Sequence, residues 1–193
     1  MHHISTAARD AFFVLVTIFW VFEMILANRR RATRDSDREA DRGSSRVIFV
    51  LFWSAFIAAG YCYARLPQAS FESATLFHVG LGLMVCGQLL RWWSIATLGR
   101  FFTVNVAIRA GHRIVTSGPY RLLRHPSYTA ILMFYLGTGL CSGNILSIVA
   151  IMLPSTAALL YRMHVEERVL LSGLGEEYLT YMSRTQRLIP GVY

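Results

Sequence analysis

Arginine, histidine and glutamate crowd together at two places in this 193-residue chain. The first is "HRIVTSGPYRLLRHPSY" at 112–128, which sets Arg121, Arg124 and His125 directly before Pro126, Ser127 and Tyr128. Proline suits the first position of a helix, where its missing N–H would be unsatisfied anyway. It also drives the preceding residue out of the helical region, which puts His125 at the N-cap. A helix N-terminus offers unpaired N–H groups and partial positive charge, so the junction suits a carboxylate or a phosphate. A basic helix end touching lipid head groups accounts for the same residues. The second place is "YRMHVEER" at 161–168. Arg162 and Glu166 lie four apart and share a helix face, with His164 and Glu167 beside them. One reading is a ligand clamp that faces the arginine-rich loop. The other is a set of solvated interfacial charges with a modest i,i+4 pair.

These residues sit on an apolar frame. The chain is 54% hydrophobic, with a mean hydropathy of +0.43, which points to an integral membrane protein. The formal charge is +8, and all 19 basic residues are arginine. They lie between long apolar runs, so the positive-inside rule explains them and a nucleic-acid partner is not expected. Five runs are apolar enough for helices that cross a bilayer: 11–27, 47–64, 74–98, 127–141 and 145–163. The first has no small-residue cleavage site and runs into Arg29, Arg30 and Arg31, so it reads as an anchor. Ser142-Gly143-Asn144 forms a tight turn that makes the last two an antiparallel hairpin, and Pro154 should kink the fifth.

With five spans, the arginines of 28–46, 99–126 and the C-terminal segment share one face. That face is expected to be cytoplasmic, with the N-terminus opposite. Glu23 and Arg91 fall inside spans, where charge is expensive; they either snorkel or pair with each other. The segment after 165 reads as an amphipathic helix broken near 173–175, with Leu170, Leu171, Leu174, Tyr178 and Met182 on its apolar face. Ser54/Ala58 and Ala55/Ala59 are small-residue pairs suited to helix contact, and leave the oligomeric state open. The mixed-charge stretch 28–46 reads as a solvated loop. The cysteines lie in apolar runs, and no histidine spacing suggests a metal site.

Taken together, 112–128, a short helical hairpin and "EER…GEEYLTY" at 166–181 resemble the isoprenylcysteine carboxyl methyltransferases. These belong to a wider group that includes phospholipid N-methyltransferases. The resemblance implies an all-α integral membrane enzyme that uses S-adenosylmethionine (SAM) without a Rossmann fold. It fits the lack of a glycine-rich turn between strand and helix. It implies a cytoplasmic-face cofactor pocket built by the loop 99–126, the hairpin of spans four and five, and the amphipathic C-terminal helix. Residues 1–98 would then be an N-terminal helical region and 99–193 the catalytic region. By resemblance, Asn105, His112, Arg113, Ile114, Val115, Tyr120, His125, Pro126, Ser127, Tyr128 and Glu166 would hold the cofactor. Arg162 would meet the methyl acceptor, and Arg124 and Glu167 join it as catalytic candidates; Arg187 is a further polar position of the pattern.

The implied acceptor is a lipophilic carboxylate, prenylcysteine-like, that enters from the bilayer. A carboxylate is already ionised near neutral pH and needs no base. An amine acceptor, as in the phospholipid N-methyltransferases, would need one such as Glu167. Membrane sterol reductases that use NADPH share similar C-terminal halves, and a non-catalytic lipid-binding protein on the same scaffold is a further alternative. The arginine-only basic set and short form point to a prokaryotic chain, and so to a bacterial inner membrane over the endoplasmic reticulum.

Overall fold

The computed structural model describes residues 4–29, 44–102 and 114–191. Among these residues the architecture is helical: α1 (Thr6–Arg29), α2 (Ser44–Arg65), α3 (Ala74–Leu98), α4 (Pro126–Ser142), α5 (Ile145–Leu174) and α6 (Glu176–Arg184). Among the described residues, extended pairing is confined to two isolated bridges, Ser70 with Asn144 and Leu123 with Gln186. The Ala74–Phe101 and Ile145–Leu174 segments are long and apolar enough to cross a membrane. The expected α3 boundaries hold, and α4 starts at Pro126 as its φ restriction requires. The largest departure is α5. It does not stop at 163 but runs unbroken past Pro154 to Leu174, and so carries "YRMHVEER" on the same rod as the apolar segment. The expected break comes at Gly175, which adopts φ +54 between α5 and α6.

α4 is the hub of the bundle. Phe134 stacks on Phe19 of α1 at 4.0 Å, and Tyr135 meets Phe52 and Phe56 of α2 edge-on. Toward α3 the contact is backbone to backbone. A Cβ on Gly137 would lie 2.5 Å from the carbonyl oxygen of Gly80, and one on Gly87 would lie 2.7 Å from that of Ala130. Hydrocarbon offers no hydrophobic drive for helices to associate, so close packing through small residues takes its place. Of the expected small pairs on α2, Ala55 and Ala59 are buried, whereas Ser54 and Ala58 are exposed.

The end of the bundle opposite the arginine-rich one is tied by Asn144. Its side chain caps α5 by accepting from the Ser147 N–H, and its Nδ2 donates to the Leu66 carbonyl. Gly143 closes α4 in the left-handed region at φ +63, and its carbonyl accepts from the Phe71 N–H at 2.7 Å. Phe13, Met24, Ile57, Tyr61, Leu89, Trp93 and Leu153 point outward in the open, a surface suited to hydrocarbon.

Helix length then sets depth. The 17 residues of α4 cover about 26 Å, less than the roughly 30 Å of a hydrocarbon core, while α5 covers about 45 Å. The N-terminus of α4 is therefore recessed among longer neighbours.

Gly137→Leu should separate α3 from α4 and lower stability by roughly 1–3 kcal/mol, as overpacking does elsewhere. Gly82→Ala, which meets open space, should change little. Thermal unfolding of both variants in detergent checks the contrast.

Candidate functional site

Two adjacent glutamates on α5 organise the arginine-rich end. Glu167 is buried and meets two arginines and a histidine. Arg124 Nε reaches Oε1 at 3.0 Å, His125 Nε2 reaches Oε1 at 3.2 Å, and Arg187 Nη2 reaches Oε2 at 2.7 Å. Burial makes a charge here costly, and the three donors offset that cost. Arg124 has a second task. Its Nη1 donates to the carbonyls of Met182 and Thr185 at 2.8 and 2.7 Å, which caps the C-terminus of α6 with positive charge.

The same tail is stitched to the junction through the backbone. The Arg124 and His125 N–H groups donate to the Gln186 and Arg187 carbonyls, and Thr129 Oγ1 donates to the Leu188 carbonyl. The Tyr181 hydroxyl donates to the Tyr120 carbonyl at 2.8 Å. Tyr178 and Tyr181, three apart, form the buried face of α6, while Leu179 is exposed. The expected apolar face is met at Tyr178; Leu170, Leu171, Leu174 and Met182 are only half-buried, and Tyr181 takes the larger part.

Glu166 turns the other way, toward the first turn of α4. The Tyr128 hydroxyl donates to its Oε2 at 2.6 Å, and its side chain stays about a third exposed at 31%. His125 spans both glutamates: with Nε2 on Glu167, its Nδ1 lies 3.9 Å from Glu166 Oε2, and its ring stacks on Tyr128. Both ring nitrogens are thus aimed at carboxylates of the protein itself. Arg162, one turn deeper on α5 and 3% exposed, acts on the same Tyr128 hydroxyl. Burial, and then the Glu166 charge, push the Tyr120 hydroxyl well above its usual range, so it stays a neutral donor.

Glu23 and Arg91 do pair. Arg91 Nε and Nη2 reach the two Glu23 oxygens at 2.8 and 2.9 Å, and Nη1 donates to Ser127 Oγ. The pair thereby joins α1, α3 and the first turn of α4. Tyr120, Arg124, His125, Pro126, Ser127, Tyr128, Arg162, Glu166 and Glu167 all meet at this end of the bundle. Ile114 and Val115 are half-buried in the segment that leads to the Gly118–Arg121 turn and make none of the bonds above. Asn105, Arg109, His112 and Arg113 lie outside the described residues. Arg91 as a contact of Ser127 was not foreseen, nor was the clamp of 185–188; the Tyr178/Tyr181 spacing was the available signal for the latter.

For the SAM expected from the sequence, the donor set is chemically apt. Glu166 Oε1 enters none of the bonds above, and a carboxylate oxygen suits an ammonium or ribose hydroxyls. The recessed α4 N-terminus, with Ser127 beside a guanidinium, suits a carboxylate.

Comparison with known proteins finds the family model of isoprenylcysteine carboxyl methyltransferases at residues 80–172. A protein-S-isoprenylcysteine O-methyltransferase of Schizosaccharomyces pombe is 33% identical over 193 residues, covering 93% of this chain and 82% of that protein. Isoform B of Arabidopsis thaliana is 34% identical over 115 residues, and the chain covers 58% of its length. The solved structure of a eukaryotic intramembrane Ras methyltransferase superposes with a TM-score of 0.62 at 29% identity, over 75% of this chain and 52% of that one.

Glu167→Gln should unfold the arginine-rich end. It takes the carboxylate from the half-buried Arg124 and Arg187, at a cost of roughly 1–3 kcal/mol. Chemical denaturation of the native protein and Glu167→Gln in detergent at neutral pH checks the loss.

Proposed function

Because the chain belongs to the isoprenylcysteine carboxyl methyltransferase family, we propose that it methylates a lipophilic carboxylate, prenylcysteine-like, at the membrane with SAM as donor. The observation that carries this reading is the meeting of Glu166 and Tyr128 above the buried Arg162, at the recessed start of α4. When bound, SAM supplies an electrophilic methyl on a sulfonium. The protein's share is to seat, align and dry the two reactants. Ser127 and the first turn of α4 would hold the cofactor carboxylate, and Glu166 its ammonium or ribose hydroxyls. Tyr128 and Tyr120 would line the seat, with Pro126 setting the helix start. His125 would act by aiming the glutamates. Asn105, His112, Arg113, Ile114 and Val115 complete the set that the family pattern assigns.

Depth supports a division of labour. Glu166 is open toward the aqueous end, whereas Arg162 lies one turn further into the bundle. A donor from water and an acceptor from the bilayer would meet between them. Arg162 can orient a carboxylate through its planar fork. Arg124 and Glu167 support this geometry. Both Glu167 oxygens are committed to Arg124, His125 and Arg187 and not to a substrate proton, which favours a carboxyl acceptor over a phospholipid amine.

The apolar exterior and the family together make this an integral membrane protein. We assign α1 to α5 as five spans, with the arginine-rich end in the cytoplasm and the N-terminus opposite. The relatives named above are eukaryotic and lend no support to a bacterial inner membrane.

Titration with S-adenosylhomocysteine in detergent tests the reading. The folded protein should bind it and should not bind NADPH, and the methylated product should be base-labile, as an ester is. Glu166→Ala should weaken binding about tenfold or more, the worth of a lost charged hydrogen bond. Arg162→Ala should leave cofactor binding near native and lower acceptor turnover. A folded protein that binds no S-adenosylhomocysteine would sink the proposal.

A further inference from the structure

Glu23 lies on α1, upstream of the 80–172 stretch that the family model matches, yet it ends in the same constellation as Ser127. We infer that Glu23 is a positioning residue for the cofactor seat and acts through Arg91 on Ser127. The inference rests on the proposed seat at the start of α4.

The guanidinium is the rigid part. Its Nε and Nη2 edge is taken by both oxygens of Glu23. With that edge locked, the plane of the group is set, and so is the direction of the remaining Nη1 donors. One of these meets Ser127 Oγ. Arg91 is 6% exposed, so it cannot swing to water for another partner. The Phe102 ring, 5.8 Å away, packs over the guanidinium and adds to its confinement.

Ser127 responds to this. Early in a helix, a serine hydroxyl commonly turns back on nearby backbone groups. Here its oxygen accepts from a cation, and among the described residues this is the one hydrogen bond Ser127 Oγ makes. Its own proton is then polarised and directed away from Arg91. The result is a strengthened donor beside the α4 N-terminus, where a carboxylate is proposed to sit.

Glu23 supplies the counter-charge that makes a guanidinium tolerable at this depth. Without the negative charge, Arg91 keeps its burial cost and loses its fixed plane. Ser127 would then lose the partner that orients it. By this route α1 contributes to cofactor affinity without touching the cofactor.

The test is a double-mutant cycle on S-adenosylhomocysteine affinity, measured by calorimetry on the full chain in detergent. Glu23→Gln, which keeps the shape of the side chain, should raise Kd about tenfold, and Ser127→Ala by a similar factor, the scale of one charged hydrogen bond. The double variant should be no worse than the weaker single, since both act on one contact. The KM for the acceptor should stay native in Glu23→Gln, which general loosening of the fold would not allow. If Glu23→Gln fails to fold, the pair Glu23→Met with Arg91→Met removes both charges together. It should restore the fold and keep the raised Kd. Native affinity in Glu23→Gln or in that pair would overturn the inference, as would independent, multiplying effects of Glu23→Gln and Ser127→Ala. A native protein that binds no S-adenosylhomocysteine would instead overturn the cofactor seat, and the inference with it.

Discussion

The carboxylate of Glu167 is the contact on which the arginine-rich end depends. It takes hydrogen bonds from Arg124 and His125, just before α4, and from Arg187 in the tail. Two chain segments, the junction and the tail, therefore converge on two oxygens of α5. Such a carboxylate is costly to desolvate, and its gain comes only when every donor is in place. That makes the assembly cooperative: the junction, the tail and α5 settle together or not at all. Arg124 extends the same network to the end of α6. Once Glu167 is committed in this way, its neighbour Glu166 has to face away, and the helix turn of about 100° per residue brings it to Tyr128.

The opposite end is held by neutral groups. Asn144 caps α5 and binds the loop before α3, and Gly143 supplies the sharp turn. Between the two ends, α3 and α4 touch through glycine, which leaves no slack for sliding. The bundle is thus fixed at both ends and pinned in the middle. A short α4 between longer helices then becomes a recess and not merely a short span. The proposed chemistry uses that recess, because a site below the helix ends can exclude water and still meet a ligand from the bilayer.

The ion pair of Glu23 and Arg91 belongs to the same logic. Charge placed within a span has to find charge, and here the pair bridges residues 68 apart in the chain. It binds the N-terminal helices to the part of the molecule that the family model covers. Family membership rests on similarity to the Schizosaccharomyces pombe relative over 93% of this chain, whereas the α1 contact is a feature of this fold read directly.

Much of the fold was legible in the residues. Pro126, the Ser-Gly-Asn turn and Gly175 act on backbone torsions within a residue or two, so they mark helix ends without reference to the rest of the chain. Apolar run length does the same for α3. The end of α5 was not legible, since a helix continues for as long as tertiary contacts reward it, and Arg162, Glu166 and Glu167 look like the polar finish of a span. The presence of Arg124, His125, Glu166 and Glu167 was plain from their types. Which glutamate would be sealed and which left open was not, because adjacent residues differ only by their angle about the helix axis. That angle acquires meaning when α4, the tail and Arg91 close around it. The sequence by itself therefore determined where the helices begin and which charges they carry to one end of the bundle. Tertiary structure alone decided which charges meet, because pairing across distant segments depends on packing that no local residue pattern encodes.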